Sequence, residues 1–553
     1  MYNLLIGGAA GQGIDTSTAI LERLFKRSGY NVFTTRDVMS RIRGGHNFSL
    51  IRFGREKVLS HSNRLDGIIA INDETIGLHI SELSDRGFVL CDKGVGSDDP
   101  RVMQVAMMET AKNLGNPKVS GSVAIGAVLK LFGENLDFVR EVMATSVKPQ
   151  FLEINMSAIE AGYNSVTPHY EHIEGNCADW MILTGSKAMA LGAMAAGVGF
   201  YSAYPMSPST PVMEYLSSKM TEAGIVVEQA EDEIAAINMA IGASFAGVRA
   251  MTGTSGGGFS LMVEALGLSG MTEIPLVVAN VQRPGPATGL PTRTEQSDLK
   301  FMISAAQGEF PRMVIALRDH EDSIYQTARA FEIAEKYQIP VILLSDQYLG
   351  DASATIPKFD PKRVKTSPPE TIDKTDGEYL RYKLTADGIS PRLIPGDPSG
   401  FASADSDEHT ERGWITESAE VRTEMVDKRM KKLEKLREEL QEPAFLGDEK
   451  CETLILGWGS TYGPIAEAVK ILNGGTGGKF GALVFGDIYP LPTKLLEEKA
   501  ATAARIINVE QNATGQLADL IREQSGVVCT SSVLKYDGRQ ITGEEIAARI
   551  SLL

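Results

Sequence analysis

Tyr204-Pro205-Met206-Ser207-Pro208-Ser209-Thr210-Pro211 opens the stretch around which the chain is organised, a stretch that runs to Asp298. Val226-Val227-Glu228-Gln229-Ala230-Glu231-Asp232-Glu233 follows and leads into a helix of small residues, Ile234 to Gly247. Then come Thr252-Gly253-Thr254-Ser255-Gly256-Gly257-Gly258 and, to close, Arg283-Pro284-Gly285. Three proline or glycine turns and one acidic helix start thus fall at the ends of successive apolar strands. An open α/β sheet builds a ligand crevice in this way, from the loops beyond its strand ends.

Outward from this stretch, strand and helix patterns alternate over residues 176–355, which predicts a mostly parallel sheet. Residues 1–175 form a separate α/β domain that starts strand, glycine loop, helix, with Gly7-Gly8-Ala9-Ala10-Gly11-Gln12-Gly13 as the loop. That loop reads either as a phosphate site at a helix N-terminus or as a tight turn at a subunit contact. Arg41-Ile42-Arg43-Gly44-Gly45-His46 is a basic glycine turn facing a phosphate or a partner. Residues 356–447 lose the rhythm and shift to Pro, Asp, Lys, Thr and Gly, so they read as an irregular crossing segment. It ends in a helix from about Glu417 to Gln441, whose dense charges are expected to form a solvated face. Residues 448–553 return to α/β, and Gly459-Ser460-Thr461 before a helix is either an anion site or an ordinary cap.

At 553 residues the chain is expected to hold about three or four domains. A formal charge of −17 argues against binding a nucleic-acid backbone, which requires clustered Lys and Arg. Cys91, Cys177, Cys451 and Cys529 lie far apart, with no C-x-x-C pair. They suit a reducing cytoplasm and provide no metal or cluster site on this chain. Met1-Tyr2-Asn3-Leu4-Leu5-Ile6 reads as a first strand, and Met189 to Met206 as a buried helical stretch; no membrane span is expected.

A carboxyl at a helix start, flanked by small residues that leave room for a ring, suits the aminopyrimidine of thiamine diphosphate. That cofactor needs an acid against N1′ to favour the imino tautomer, and an acid in an apolar setting serves best. Glu233 fits, with Glu228 and Glu231 competing, while dipole complementation or capping would explain an acid there without chemistry.

Tyr204-Pro205-Met206-Ser207-Pro208-Ser209-Thr210, Glu231-Asp232-Glu233-Ile234-Ala235-Ala236 and Gln282-Arg283-Pro284-Gly285 resemble the 2-oxoacid:ferredoxin oxidoreductase α subunit. Gly7 to Gly13 and Arg43-Gly44-Gly45-His46 resemble that family's γ subunit, here fused ahead of α. The resemblance implies a γ domain, a thiamine pyrimidine-binding domain and a transketolase C-terminal-like domain. It places Glu233 against N1′ and Arg283 on the oxoacid carboxylate. Ser207 stands for the motif's threonine and Met206 for its isoleucine. Tyr204, Pro205, Met206, Thr254 and Ser255 are then expected to line the cofactor pocket, with Ser207 and Arg283 on substrate.

Neither a G-D-G signature nor cluster-spaced cysteines occur. The resemblance therefore implies a β subunit bringing the diphosphate site, Mg2+ and a [4Fe–4S] cluster, with ferredoxin as electron partner, coenzyme A as co-substrate and a dimer of αβ units. The implied reaction is oxidative decarboxylation of a 2-oxoacid, 2-oxoglutarate by the fused layout and the Gly289-Leu290-Pro291-Thr292 run, or its reverse. The competing readings are a transketolase- or E1-like thiamine enzyme without electron transfer, and a non-catalytic nucleotide-binding scaffold.

Overall fold

The computed structural model describes residues 1–39, 45–95, 97–367, 371–372, 378–397, 400–475 and 479–553. In chain order the strands are β1 (Tyr2–Ala9), β2 (Asn31–Asp37), β3 (His46–Gly54), β4 (Leu65–Ala70), β5 (Leu83–Asp92), β6 (Val102–Val105) and β7 (Met181–Thr184). Next come β8 (Phe200–Ala203), β9 (Val226–Gln229), β10 (Ala250–Thr254), β11 (Leu276–Gln282), β12 (Met313–Ala316), β13 (Pro340–Asp346) and β14 (Ser353–Ile356). The last are β15 (Ala444–Gly447), β16 (Thr453–Trp458), β17 (Phe480–Phe485), β18 (Asp487–Tyr489), β19 (Arg505–Glu510) and β20 (Ser531–Leu534). Two compact units result, Met1–Leu183 with Ala352–Lys358, and Thr184–Asp351 with Phe359–Leu553.

The first unit holds a mixed sheet in the order β6-β5-β4-β1-β3-β2-β14-β7. β1 pairs parallel with β4 and antiparallel with β3, and Leu4, Ile6, Ile51 and Phe53 pack with Ile20, Leu21 and Phe25 of the Ile14–Arg27 helix. Gly11 and Gly13 take left-handed φ of 87° and 82° in the turn between β1 and that helix, a conformation that costs other residues a Cβ clash. Residues 40–44, most of the expected basic turn, lie outside the described residues. His46 begins β3, with its Nε2 2.9 Å from His79 Nε2, while His79 Nδ1 lies 2.8 Å from Glu82. The boundaries expected near 175 and 355 shift, because β14 hydrogen-bonds antiparallel to β2 and β7 ends the same sheet. Short strands carry too little periodicity to be assigned to a sheet from sequence.

The second unit holds a seven-stranded sheet, β18-β12-β13-β11-β10-β8-β9, parallel except at β18. Its helices Glu233–Phe245 and Gly256–Thr272 cover one face through Ile237, Ala240, Phe259 and Met262. Gly185–Ala195 and His320–Tyr337 cover the other through Met189, Ala193, Phe331 and Ala334. The five-stranded sheet β15-β17-β16-β19-β20 follows, and β18 crosses from its stretch of chain to pair with β12. No helix among the described residues is long and apolar enough to cross a membrane.

The charged helix differs from expectation. It spans Ala419–Glu438, and Lys428, Arg429 and Lys432 are buried along with Met425, Leu433 and Leu436. Glu273, which ends the Gly256–Thr272 helix, meets Lys428 at 2.7 Å and Lys432 at 2.5 Å, and Arg429 pairs with Glu408 at 2.8 Å. Their long apolar stems fill the interface while each head meets a carboxylate, the condition under which buried charge is tolerated.

Candidate functional site

The organising segments all meet at the C-terminal ends of the central parallel strands. Tyr204 follows β8, Glu233 lies just past β9, Thr254 ends β10 and Arg283 follows β11. Asp232 caps the Glu233–Phe245 helix, its side chain accepting from the Ala235 N–H at 2.8 Å. Capping is therefore done by the neighbour, and Glu233 is free for another task. It is 3% exposed, and its Oε1 is buried without a hydrogen-bond partner. The competing Glu228 and Glu231 are both exposed.

A buried polar atom without a partner costs roughly 1–3 kcal/mol, so a folded chain keeps few of them without reason. Here they gather. Thr252 Oγ1, Ser255 Oγ and Asn280 Oδ1 share the condition of Glu233 Oε1. Thr252, Thr254 and Asn280 lie on the sheet face covered by the Glu233 and Gly256 helices, since Met251 and Ala279 face the other core. Gly258 packs so closely that a Cβ there would collide with Thr254 Oγ1 and Glu233 Oε1. Close approach of a helix to an acid, beside unpaired hydroxyl and amide oxygens, fits a flat heterocycle with ring nitrogens and an amino group. The residues present suit the pyrimidine half of thiamine diphosphate.

At these strand ends the sequence-derived residues fall into two groups. Glu233, Thr254 and Ser255 are buried. Tyr204 and Ser207 are exposed, and Pro205 and Met206 half-buried, on the loop after β8. Arg283 Nη1 donates to the Ser207 carbonyl at 2.7 Å, so the structure brings these two residues together, and burial pushes the guanidinium pKa down.

Sequence reading missed Asn280 and Asp298. Asn280 Nδ2 donates to Asp298 Oδ2 at 3.0 Å, and the Asp298 N–H donates to Gln282 Oε1 at 3.0 Å. Burial raises the Asp298 pKa, against the opposing hydrogen bond from Asn280. Asp298 closes the organising stretch, but nothing in its spacing distinguished it from a helix cap. The Gly459-Ser460-Thr461 turn also has a partner, because the Ser460 hydroxyl donates to the buried Asp346 carboxylate. Among the described residues no group of three or more His, Cys, Asp or Glu is arranged to hold a metal ion.

Residues 191–428 match the family model described as pyruvate flavodoxin/ferredoxin oxidoreductase, thiamine diphosphate-binding, and residues 3–165 match pyruvate ferredoxin/flavodoxin oxidoreductase. A 2-oxoacid:ferredoxin oxidoreductase subunit alpha from a Sulfolobus species is 32% identical, over 98% of this chain and 95% of that protein. The chain belongs to the 2-oxoacid:ferredoxin oxidoreductase α-subunit family. Within that family, the 2-oxoglutarate oxidoreductase subunit KorA of Mycobacterium tuberculosis is 31% identical over 88% of this chain and 81% of its own length. A solved structure of the Magnetococcus marinus 2-oxoglutarate:ferredoxin oxidoreductase, with 2-oxoglutarate, coenzyme A and succinyl-CoA bound, superposes with a TM-score of 0.93 at 32% identity. It covers 100% of this chain and 99% of that one. As a family member the chain is an oxidoreductase subunit with a thiamine diphosphate-binding domain, and the α/β architecture expected from the sequence is the family's.

Proposed function

We propose that this chain binds the pyrimidine half of thiamine diphosphate through Glu233, with Thr254, Ser255 and the loop Tyr204-Pro205-Met206 lining the pocket. The reading has Arg283 and Ser207 meeting the 2-oxoacid. What carries it is the buried carboxyl of Glu233, which neither caps its helix nor pairs with any side chain. When bound, the cofactor would supply an electron sink for the bonding pair released at the keto carbon as carbon dioxide leaves.

This chain's residues hold and orient. Glu233 exchanges a proton with ring N1′. Arg283 provides a charge-assisted contact for a carboxylate, and its partial burial strengthens that contact. The half-buried Pro205 and Met206 would help to exclude water from the site.

In this reading a β subunit brings the diphosphate site, Mg2+ and a [4Fe–4S] cluster, ferredoxin carries electrons, and coenzyme A takes the acyl group in a dimer of αβ units. 2-Oxoglutarate is the proposed substrate, supported by the Magnetococcus and Mycobacterium relatives, and the same site serves reductive carboxylation.

The test is the reconstituted two-subunit complex assayed with a panel of 2-oxoacids, coenzyme A and a low-potential acceptor. Glu233→Gln should retain cofactor and lose at least about 100-fold in kcat, the size typical of a lost acid–base group. Near-normal turnover in that variant would remove Glu233 from the chemistry, and a preference for pyruvate would overturn the substrate assignment.

A further inference from the structure

Asn280 sits fully buried near the end of β11, with Thr254 of β10 as its register partner on one side and Leu344 of β13 on the other. Leu344 offers it no hydrogen bond. Its amide orientation is set chemically: Asp298 Oδ2 lies 3.0 Å from one amide atom, and a carboxylate only accepts, so that atom is the NH2. Asp298 is itself held in place. Its backbone N–H donates to Gln282 Oε1 at 3.0 Å, and Gln282 Nε2 donates to the Ser345 carbonyl at 3.1 Å. Asp298 also stands at the start of the Gly256–Thr272 helix, where a Cβ on Gly256 would come within 2.5 Å of Oδ2. That helix has no side-chain cap from Ser255, and a carboxylate at its positive end is favoured.

The clamp has one chemical consequence. With the NH2 committed to Asp298, the amide oxygen is left buried on the sheet face that carries Thr252 and Thr254, without a hydrogen-bond donor. Thr252 and Ser255 carry hydroxyls able to donate, but neither of them, nor Glu233 Oε1, forms a hydrogen bond to it. A ligand with an N–H would relieve that oxygen, whereas a ligand presenting a carbonyl would face it lone pair to lone pair.

We propose that Asn280 is a cofactor-binding residue whose amide oxygen accepts an N–H from the exocyclic amino group of the bound aminopyrimidine, with Asp298 as the positioning residue that fixes the amide. This rests on the thiamine reading above and deepens it. Glu233 addresses a ring nitrogen; Asn280 reads the substituent. The pair Asn280–Asp298 thereby selects an amino substituent over an oxo one.

The experiment measures dissociation constants of thiamine diphosphate and of oxythiamine diphosphate, its 4-oxo analogue, on the two-subunit complex. Wild type should bind the amino form at least about tenfold more tightly, the range for one buried acceptor satisfied against one left facing a lone pair. In Asn280→Ala the two constants should converge to within about threefold, chiefly through weaker binding of thiamine diphosphate. Asp298→Asn keeps volume and removes the charge that fixes the amide, so the preference should fall severalfold there. That variant decides the matter if Asn280→Ala fails to assemble. An unchanged preference in either assembled variant overturns the proposal. A wild-type complex that binds neither compound would instead overturn the thiamine reading, which keeps the two failures distinguishable.

Discussion

Gly258 is the residue at which the site tolerates least change. A methyl group there collides with Thr254 Oγ1 and Glu233 Oε1 at once, and both lie against backbone that the sheet and a capped helix hold rigid. Gly258→Ala should leave secondary structure intact but displace the Glu233 carboxyl, weakening thiamine diphosphate binding by about tenfold or more. Titration of the assembled oxidoreductase with cofactor checks this, and wild-type affinity in the variant would mean that the carboxyl is not positioned by this contact. Glu233 stood out as a candidate because an acid beside small residues at a helix start is an unusual combination. That the fold buries this carboxyl and exposes Glu228 and Glu231 was not legible. Asn280 was invisible for another reason. A polar residue in an apolar strand carries no mark of function until its partner, eighteen positions on in Asp298, is brought beside it.

At the scale of the element, the Ala419–Glu438 helix shows where periodicity misleads. Met425, Leu433 and Leu436 form its buried apolar stripe, but three basic residues of the face expected to be solvated are buried as well. A sequence shows the charge on Lys432 but not the Glu273 carboxylate waiting 2.5 Å away on a helix over 150 positions earlier. Burial raises the Glu273 pKa, but Lys432 and Lys428 pull it further down, below the ordinary carboxylate value. Burial takes Lys432 down to about 7 against the pull of Glu273. Such a cluster is fragile when cut on one side. Glu273→Ala leaves Lys428 and Lys432 buried without a counter-charge and should destabilise the second unit by about 3–5 kcal/mol. Denaturant unfolding measures this, and protease sensitivity should rise first in residues 378–438, which Arg381 also ties to the Thr272 and Glu273 carbonyls. A loss under about 1 kcal/mol would show that the lysines escape to solvent and that the helix is not held by this carboxylate.

At the scale of the whole second unit, the two sheets are joined by polar contacts as well as by β18. Gln296 donates to the Trp458 carbonyl at 2.8 Å, Asn512 donates to the Gln296 carbonyl at 3.0 Å, and Ser460 donates to Asp346. The α/β alternation of this unit was readable from periodicity and turn residues; this seam was not, because its residues look like ordinary loop polars. Asp346 gives the seam a pH signature. Burial raises its pKa from 3.8 to about 6, against hydrogen bonds from Ser460, Leu349, Thr294 and Tyr348. A carboxyl whose folded pKa exceeds its unfolded one contributes stability that is fully present below the unfolded value and is lost as pH rises through the folded value. The window here is therefore pH 4 to about 7, and a shift of roughly two units corresponds to about 3 kcal/mol at most. Asp346→Asn cannot ionise and does not have this loss. Relative to wild type it should gain stability as pH rises from 4 to 7, with the difference levelling off above 7. Urea unfolding at a series of pH values gives the comparison directly. Stability curves for the two proteins that run parallel across that window would mean that Asp346 ionises freely and that the Ser460 contact does not govern how the two sheets are held together.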